Sequence, residues 1–389
     1  MAKTLNDLPL THRVWTWLAV GSILLVAGIR VVTAVDISES RTSDATADAI
    51  LIRAAANGLD LNTDIELLGS KLGIAYRNVP LIGTPNSATV HPRTPGSLIL
   101  LSPLLLIKPE LAHLVALALN ATATLALILF VVPRLLGTDL RQVWPIAVLT
   151  VGGLSFAHCL QFGAWSGLIA LVAVAGFARS DVFGGAFVGA MTAFKLYPGV
   201  LVLGGNRGWR WITAALTSAT AVTALGLIAF RLNPLEAVHS LSAGAHSWLA
   251  QPGNASLASW VARVGIEPGL AVVIGISPVS GLLLFRRSWS LWRLGAFSLV
   301  VAVVSSPLAW SHYDLLLMPV AVTFWLMGGT PRIWGLAWGA CQVAFVVVDL
   351  HPVLMVASVI GLGRLALLVG VLSTPNGWDR FAGGPGLKP

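Results

Sequence analysis

Two aspartates, Asp44 and Asp48, lie one helical turn apart in "DATADAILIRAAANG", shortly after the first strongly apolar stretch of the chain. A carboxylate at a cavity can serve as a general base, because it can accept a proton from a hydroxyl group as a new bond forms. The same pattern also fits an ordinary helix start, with Asp44 as the cap and Asp48 as a solvated acid favoured by the helix dipole. We expect a helix over 45–56 that lies on the membrane surface and stops at Asn57-Gly58.

Three basic or potentially basic side chains could bind an anion such as a phosphate. Arg93 precedes a prolyl turn in "HPRTPG", and its guanidinium has the fork of donors that phosphate recognition uses. Lys195 stands in the apolar run "MTAFKLYPG", where a charge is costly unless it is paired or faces a polar cavity. His312 in "WSHYD" can bind a phosphate or tune a proton. The alternatives are interfacial snorkelling for the two cations and a plain helix start for His312.

Further polar or aromatic side chains are candidates for contact with a substrate. The Gln161 amide can hydrogen-bond a hydroxyl or cap a helix, and Asn254 with Ser256 can form a capping turn or touch a ligand. Trp310 can contact a ligand or belong to an interfacial aromatic pair. The full candidate set is His91, Gln161, Asn254, Ser256, Trp310 and Asp314. Since no histidine pairs with another ligand at a recognisable metal-binding spacing, we expect no metal and no cofactor.

These residues must be positioned by apolar helices. The chain has 389 residues, of which 56% are hydrophobic and 10% are charged, and its mean hydropathy is +0.83. Stretches of about 20 apolar residues recur throughout, so we expect an all-α polytopic membrane protein that forms a single domain over 1–389. Cys159 and Cys341 stand in separate apolar segments, which does not indicate a disulfide framework.

The apolar stretches predict about ten transmembrane helices and two segments that do not cross simply. The candidate spans are 14–35, 111–133, 143–160, 166–178, 211–230, 268–285, 291–305, 313–328, 333–349 and 352–371. The stretch 96–107 is too short to span, and 182–204 is interrupted at "FKLYPG", so we interpret both as re-entrant or broken helices.

The distribution of basic residues predicts the topology. Placing both termini in the cytoplasm puts most arginines of the short loops on the cytoplasmic side of the plasma membrane, as the positive-inside rule requires. The first loop, 36–110, is then extracytoplasmic and 372–389 is a cytoplasmic tail. The candidate site residues that fall on the outer face are Asp44, Asp48, His91, Arg93, Gln161, Asn254, His312 and Asp314. If 182–204 crossed fully, the later helices would invert. An outer site excludes nucleotide sugars and ATP as direct substrates, and we expect no nucleic-acid partner.

Several short motifs resemble glycosyltransferase family 87 of the GT-C superfamily, which comprises polyprenyl-phosphate-mannose-dependent mannosyltransferases of bacterial cell envelopes. Asp44, the following helix, Gly58 and Asp60 keep the spacing of the family's first-loop pattern, although an aromatic pair is replaced by Asp48-Ala49. Other matching segments are "HPRTPGSLILLSPL", Gln161 with Trp165 near an expected Asn, Lys195 with Pro198, "NASL" and "SSPLAWSHYD".

The resemblance implies a GT-C-like bundle and an inverting transfer of mannose from a polyprenyl-phosphate donor to a lipid or glycan acceptor, among membrane lipids. Asp44 would be the base, with Asp48 either orienting it or replacing it. Arg93, Lys195 and His312 would bind the donor phosphate. The alternatives are the same reaction with arabinose or glucose, a transporter or flippase for a lipid-linked sugar, and a non-catalytic scaffold.

Overall fold

The structure is a computed structural model that describes residues 10–35, 43–76, 93–204, 208–249, 251, 254–285, 288–347 and 353–378. All regular secondary structure in this part of the chain is helical, which confirms the all-α class. In the first half the helices are α1 (Leu10–Ala34), α2 (Asp44–Ala56), α3 (Ile65–Lys71), α4 (Pro95–Leu100), α5 (Ala112–Ala126), α6 (Val132–Leu136), α7 (Leu140–Gly152), α8 (Leu154–Gln161), α9 (Ser166–Ala178) and α10 (Val182–Phe194). In the second half they are α11 (Val200–Gly204), α12 (Trp209–Ala229), α13 (Pro234–Leu249), α14 (Leu257–Arg263), α15 (Pro268–Ile276), α16 (Pro278–Phe285), α17 (Leu291–Val304), α18 (Met318–Met327), α19 (Arg332–Val347) and α20 (Val353–Ser373).

Several helices have the length and composition of membrane spans. Four apolar helical stretches qualify, at Val14–Ala34, Pro109–Leu136, Trp209–Ala229 and Pro268–Phe285, and α7 with α8 forms a fifth candidate that is bent by 47°. Shorter apolar helices include α9, α10 and α17. The chain is therefore a polytopic membrane protein, and the figure of about ten crossings stays a prediction.

Helix α2 is buried, so the prediction that it lies on the membrane surface is wrong. Ten of its thirteen residues are buried, including Asp48. The reason is its composition: most of its residues are alanine, isoleucine or leucine, and its few polar residues do not form a wide polar face that could turn toward water. Its N-cap is Ser43, whose hydroxyl accepts from the Thr46 N–H at 3.2 Å, and not Asp44. The predicted end is confirmed, with Asn57 as C-cap and Gly58 at φ +68°.

The segment 182–204 is broken where the sequence predicts. Helix α10 ends at Phe194, Lys195 is extended, a 3-10 turn covers Tyr197–Gly199, and α11 follows. A Cβ at Gly185 would collide with the Trp211 carbonyl, and a Cβ at Gly189 would collide with the Ala215 carbonyl. Since these two contacts advance in the same direction along both helices, α12 runs parallel to α10. The two helices thus begin side by side. The break after α10 confirms the interpretation as a broken helix, and a re-entrant path through the membrane stays a prediction.

The segment 96–107 is also confirmed as too short to span. It consists of α4 and a 3-10 helix over Ser102–Leu106. Helix α4 is buried against α10, since a Cβ at Gly96 would lie 2.5 Å from the Ala193 carbonyl oxygen. At its N-cap, the Thr94 hydroxyl accepts from the Ser97 N–H at 3.0 Å and donates to the Ala193 carbonyl. This packing fixes Arg93, the residue just before the cap, beside the end of α10.

The close approach of α10 to α12 gives the first testable prediction. Gly189→Ala places a methyl group against the Ala215 carbonyl, and we expect it to lower stability by about 2 kcal/mol, in the range of overpacked cores. The measurement is thermal unfolding of the detergent-solubilised protein. Gly21→Ala in α1 is the control, because nothing lies within 4 Å of its Cβ, and it should leave stability unchanged or slightly raised. Equal melting temperatures for the two variants would contradict this packing of α10 on α12.

Candidate active site

A small pocket lies where α2, α4, α9 and α10 meet, and it contains much of the predicted chemistry. The structure brings four predicted site residues together at this point, Asp44, Asp48, Arg93 and Lys195. The complete lining is Asp44, Asp48, Arg93, Ser97, Leu101, Ala164, Trp165, Phe194 and Lys195. The pocket therefore combines two carboxylates and two cations with an apolar wall.

Asp48 is held on both oxygens. Its Oδ1 accepts from Arg93 Nε in a charge-assisted hydrogen bond, and its Oδ2 accepts from Trp165 Nε1 at 2.7 Å. The Asp48 side chain is 2% exposed, so burial would be costly without these donors. The charge of Asp48 is thus compensated and its orientation is fixed.

Asp44 is more accessible than Asp48. Its side chain is 34% exposed, and its Oδ1 lies 4.0 Å from Arg93 Nη2, at the limit of an ion pair. Its position is set through the backbone, since the Asp44 N–H donates to the Phe162 carbonyl at 2.7 Å. The chain at Phe162 is in turn shaped by the left-handed turn at Gly163, at φ +61°. Asp44 is consequently the carboxylate with room to receive a proton.

Arg93 is the permanent cation between the two aspartates. Burial by itself would lower the pKa of its guanidinium, but the charges of Asp48 and Asp44 outweigh burial and raise that pKa above its usual value. Burial, followed by the charge of Asp44, raises the pKa of the Tyr76 phenol above its usual value. Tyr76 therefore stays protonated near the carboxylates and can act only as a neutral group at physiological pH.

Lys195 reaches the pocket from the break after α10. It is the C-cap of that helix, where the macrodipole favours a positive charge. Its Nζ donates to the Tyr313 hydroxyl at 3.0 Å and lies 4.9 Å from the centroid of the Tyr313 ring. Tyr313 stacks on Tyr197 with 4.7 Å between ring centroids. The ammonium is therefore oriented by an aromatic pair.

His312 is adjacent to this aromatic pair but does not line the pocket. Its side chain is buried, and within the described part of the chain neither ring nitrogen has a hydrogen-bond partner. Its ring lies 4.9 Å from that of Tyr313, edge to face. Binding of a donor phosphate by His312 stays a prediction.

Three other predicted residues have protein partners away from the pocket. The Asn254 side chain donates to the Pro307 carbonyl at 2.9 Å and accepts from the Ala309 N–H at 3.0 Å. Ser256 is the N-cap of α14, which confirms the capping alternative. Trp310 meets Trp248 edge to face at 5.6 Å. Substrate contact by these three residues stays a prediction.

The remaining candidates are placed as follows. Asp314 accepts hydrogen bonds from Arg364 at 2.6 Å and from Gln342 at 3.0 Å, and both Asp314 and Arg364 are almost completely buried. Gln161 is the last residue of α8 and is half-buried. His91 lies outside the described residues. Within the described ranges, no group of three or more His, Cys, Asp or Glu side chains is arranged to hold a metal ion.

Sequence reasoning missed residues that contribute to the buried polar network, and Trp165 and Arg364 are the two that matter most for the site. The sequence places Trp165 only near an expected family Asn, yet its indole N–H is the second donor to Asp48. Arg364 lies in the last apolar stretch, "GLGRLALL". An arginine in such a stretch is as costly as an intramembrane lysine, and this cost was the signal that could have identified it.

Residues 94–284 match the sequence profile of glycosyltransferase family 87. The match covers slightly less than half of the chain, and it includes Trp165 and Lys195 but begins after Arg93 and α2. A search of curated proteins found no match. The profile match supports the family that the motifs resemble, and with the apolar helices it supports a glycosyltransferase located in a membrane.

The different surroundings of the two aspartates give a second prediction. Asp48→Asn removes the negative charge that compensates Arg93. It also replaces one carboxylate oxygen by an amide NH2 group, so that this donor would face either Arg93 Nε or Trp165 Nε1, which are donors themselves. We expect it to destabilise the protein by about 3 kcal/mol, whereas Asp44→Asn, at a partly exposed site 4.0 Å from Arg93, should cost about 0.5 kcal/mol or less. Thermal unfolding in detergent measures both values. A larger loss for Asp44→Asn would reverse the roles of the two aspartates.

Proposed function

We propose that the chain is a membrane glycosyltransferase of family 87 that transfers a sugar, with mannose as the first candidate, from a polyprenyl-phosphate donor to a lipid or glycan acceptor. The observation that carries this proposal is the pocket in which one accessible carboxylate faces two cations. A carboxylate can deprotonate an acceptor hydroxyl, and cations can stabilise a leaving phosphate. The pocket therefore has both kinds of group that the reaction needs.

Asp44 is the base in this proposal. The lone pairs of Asp48 that face Arg93 and Trp165 are occupied, whereas the Asp44 side chain is one-third exposed. Asp44 takes the proton of the acceptor hydroxyl, and the acceptor oxygen bonds to C1 of the donor sugar. The bond from C1 to the phosphate oxygen breaks on the opposite side, and its electron pair leaves with the phosphate. The configuration at C1 is therefore inverted.

Arg93 and Lys195 bind the phosphate that leaves. Both line the pocket, and each is held by other side chains, Arg93 by Asp48 and Lys195 by Tyr313. Such preorganised cations stabilise negative charge as it develops, and they do so with little reorganisation in a site shielded from water. Asp48 is then a residue that positions Arg93 and, through it, the donor.

The outer face of the plasma membrane is the proposed location of the pocket. Helix α9 begins beside Trp165 and is followed at its other end by Arg179, while α10 begins after Asp181 and ends just before Lys195. The pocket thus lies at the end of this helix pair opposite to Arg179. Arginines of short loops concentrate on the cytoplasmic side, which supports an extracytoplasmic pocket reached by a lipid-linked donor.

The test is transfer of radiolabelled mannose from polyprenyl-phosphate mannose to lipid acceptors in membranes that contain the overexpressed protein. We expect Asp44→Asn to reduce transfer by at least about 100-fold, the usual contribution of a general base. Asp139→Asn is the matched control, because this aspartate is 61% exposed and paired with Arg141 away from the pocket. It should retain wild-type transfer, and EDTA should leave the wild type active.

The outcomes separate the parts of the proposal. Wild-type transfer that persists in Asp44→Asn would exclude Asp44 as the base. Background transfer with mannose but turnover with a polyprenyl-phosphate arabinose or glucose would change the sugar and keep the reaction. Movement of a labelled lipid-linked sugar across liposomes, without transfer from any donor, would replace the enzyme by a transporter.

A further inference from the structure

A buried ion pair lies among the helices outside the pocket, and the proposed reaction makes no direct use of it. Arg364 on α20 is 1% exposed and Asp314 is 0% exposed, with Nε and Oδ1 2.6 Å apart. The second oxygen of Asp314 accepts from Gln342 Nε2 at 3.0 Å. A pair of charges taken out of water carries a large desolvation cost, which is offset only when further hydrogen bonds satisfy both groups.

Three further N–H groups of Arg364 donate to backbone carbonyls of one region. Nη1 donates to the Ala255 and Ala309 carbonyls at 2.7 Å and 2.9 Å, and Nη2 donates to the Trp310 carbonyl at 2.7 Å. Ala309 and Trp310 directly precede the 3-10 helix Ser311–Leu317, and Asp314 lies within it. One guanidinium therefore holds this short helix at its entry and at its middle.

The short helix carries the residue that orients Lys195. Tyr313 stands between the two anchored positions, accepts a hydrogen bond from Lys195 Nζ at 3.0 Å and stacks on Tyr197. Lys195 lines the pocket, whereas Arg364 and Asp314 do not. A continuous chain of contacts thus connects Arg364 to the pocket through Tyr313.

We infer that Arg364 and Asp314 are positioning residues that hold the Lys195 ammonium at the pocket by fixing Tyr313. This inference rests on the proposed function, because it assigns the lysine to the phosphate of the donor. A 3-10 helix has weaker hydrogen-bond geometry than an α-helix and needs such external anchors to keep one conformation. The pair therefore affects recognition of the donor, in addition to the stability of the bundle.

The test combines Arg364→Lys with Tyr313→Phe. A lysine keeps the positive charge, but its single nitrogen cannot reach the carboxylate and three carbonyls that Arg364 binds. We expect each variant to lower kcat/KM for the polyprenyl-phosphate sugar about tenfold, mainly through a higher donor KM, and the double variant to lose no more than the larger single loss. Steady-state transfer with varied donor concentration measures this.

Arg293→Lys is the matched control. Arg293 also connects two helices through carbonyls, of Val371 at 3.0 Å and Leu372 at 2.8 Å, but these lie in the last turn of α20, whereas Arg364 lies near its middle. It should change the melting temperature without changing the donor KM. Independent, multiplicative losses for Arg364→Lys and Tyr313→Phe, or an equal rise in KM for Arg293→Lys, would overturn the inference.

A binding measurement separates this inference from the proposed function. Binding of polyprenyl monophosphate to the detergent-solubilised protein needs no turnover, and we expect about tenfold weaker binding for Arg364→Lys and for Tyr313→Phe. Wild-type binding without sugar transfer would overturn the proposed reaction alone, and the variants would still report on positioning. Unchanged binding by Arg364→Lys would overturn the inference alone, and no binding by the wild type would overturn both.

Discussion

The constraint on which the pocket depends is that a carboxylate buried among apolar helices must be compensated. Asp48 lies inside helix α2 at 2% exposure, and it is tolerated because Arg93 and Trp165 donate to its two oxygens. These donors come from the chain before α4 and from the start of α9, so one buried charge joins three separate elements. The pocket is the space that remains beside this junction, with Asp44 and Lys195 on its wall.

A second charged junction follows the same rule and serves a different element. Arg364 and Asp314 compensate each other and fix the short helix that carries Tyr313. The two junctions connect to the pocket through different cations, the first through Arg93 and the second through Lys195. The cations that would bind a phosphate are therefore both oriented by contacts made in the interior, while Asp44 stays accessible.

Local features are predictable from the sequence, and partners distant in the chain are not. The end of α2 at Asn57-Gly58 and the break at Lys195 follow from nearby glycine, proline and charge, which act within a few residues. The predicted location of α2 is wrong, since a helical pattern does not reveal what covers it. The bond from Trp165 to Asp48 joins residues 117 positions apart, and a single sequence carries no local signal for such a pairing.

The glycine contacts of α10 also limit which insertions and deletions this helix can accept. Gly185 and Gly189 lock the register of α10 against α12, and Lys195 ends the same helix six residues after the second glycine. A single inserted residue between them would rotate the lysine by about 100° and move it by about 1.5 Å along the axis. An insertion or deletion in this interval would therefore displace the lysine from the pocket even if every side chain were kept. The number of residues between Gly189 and Lys195 is thus a structural requirement of the site in its own right.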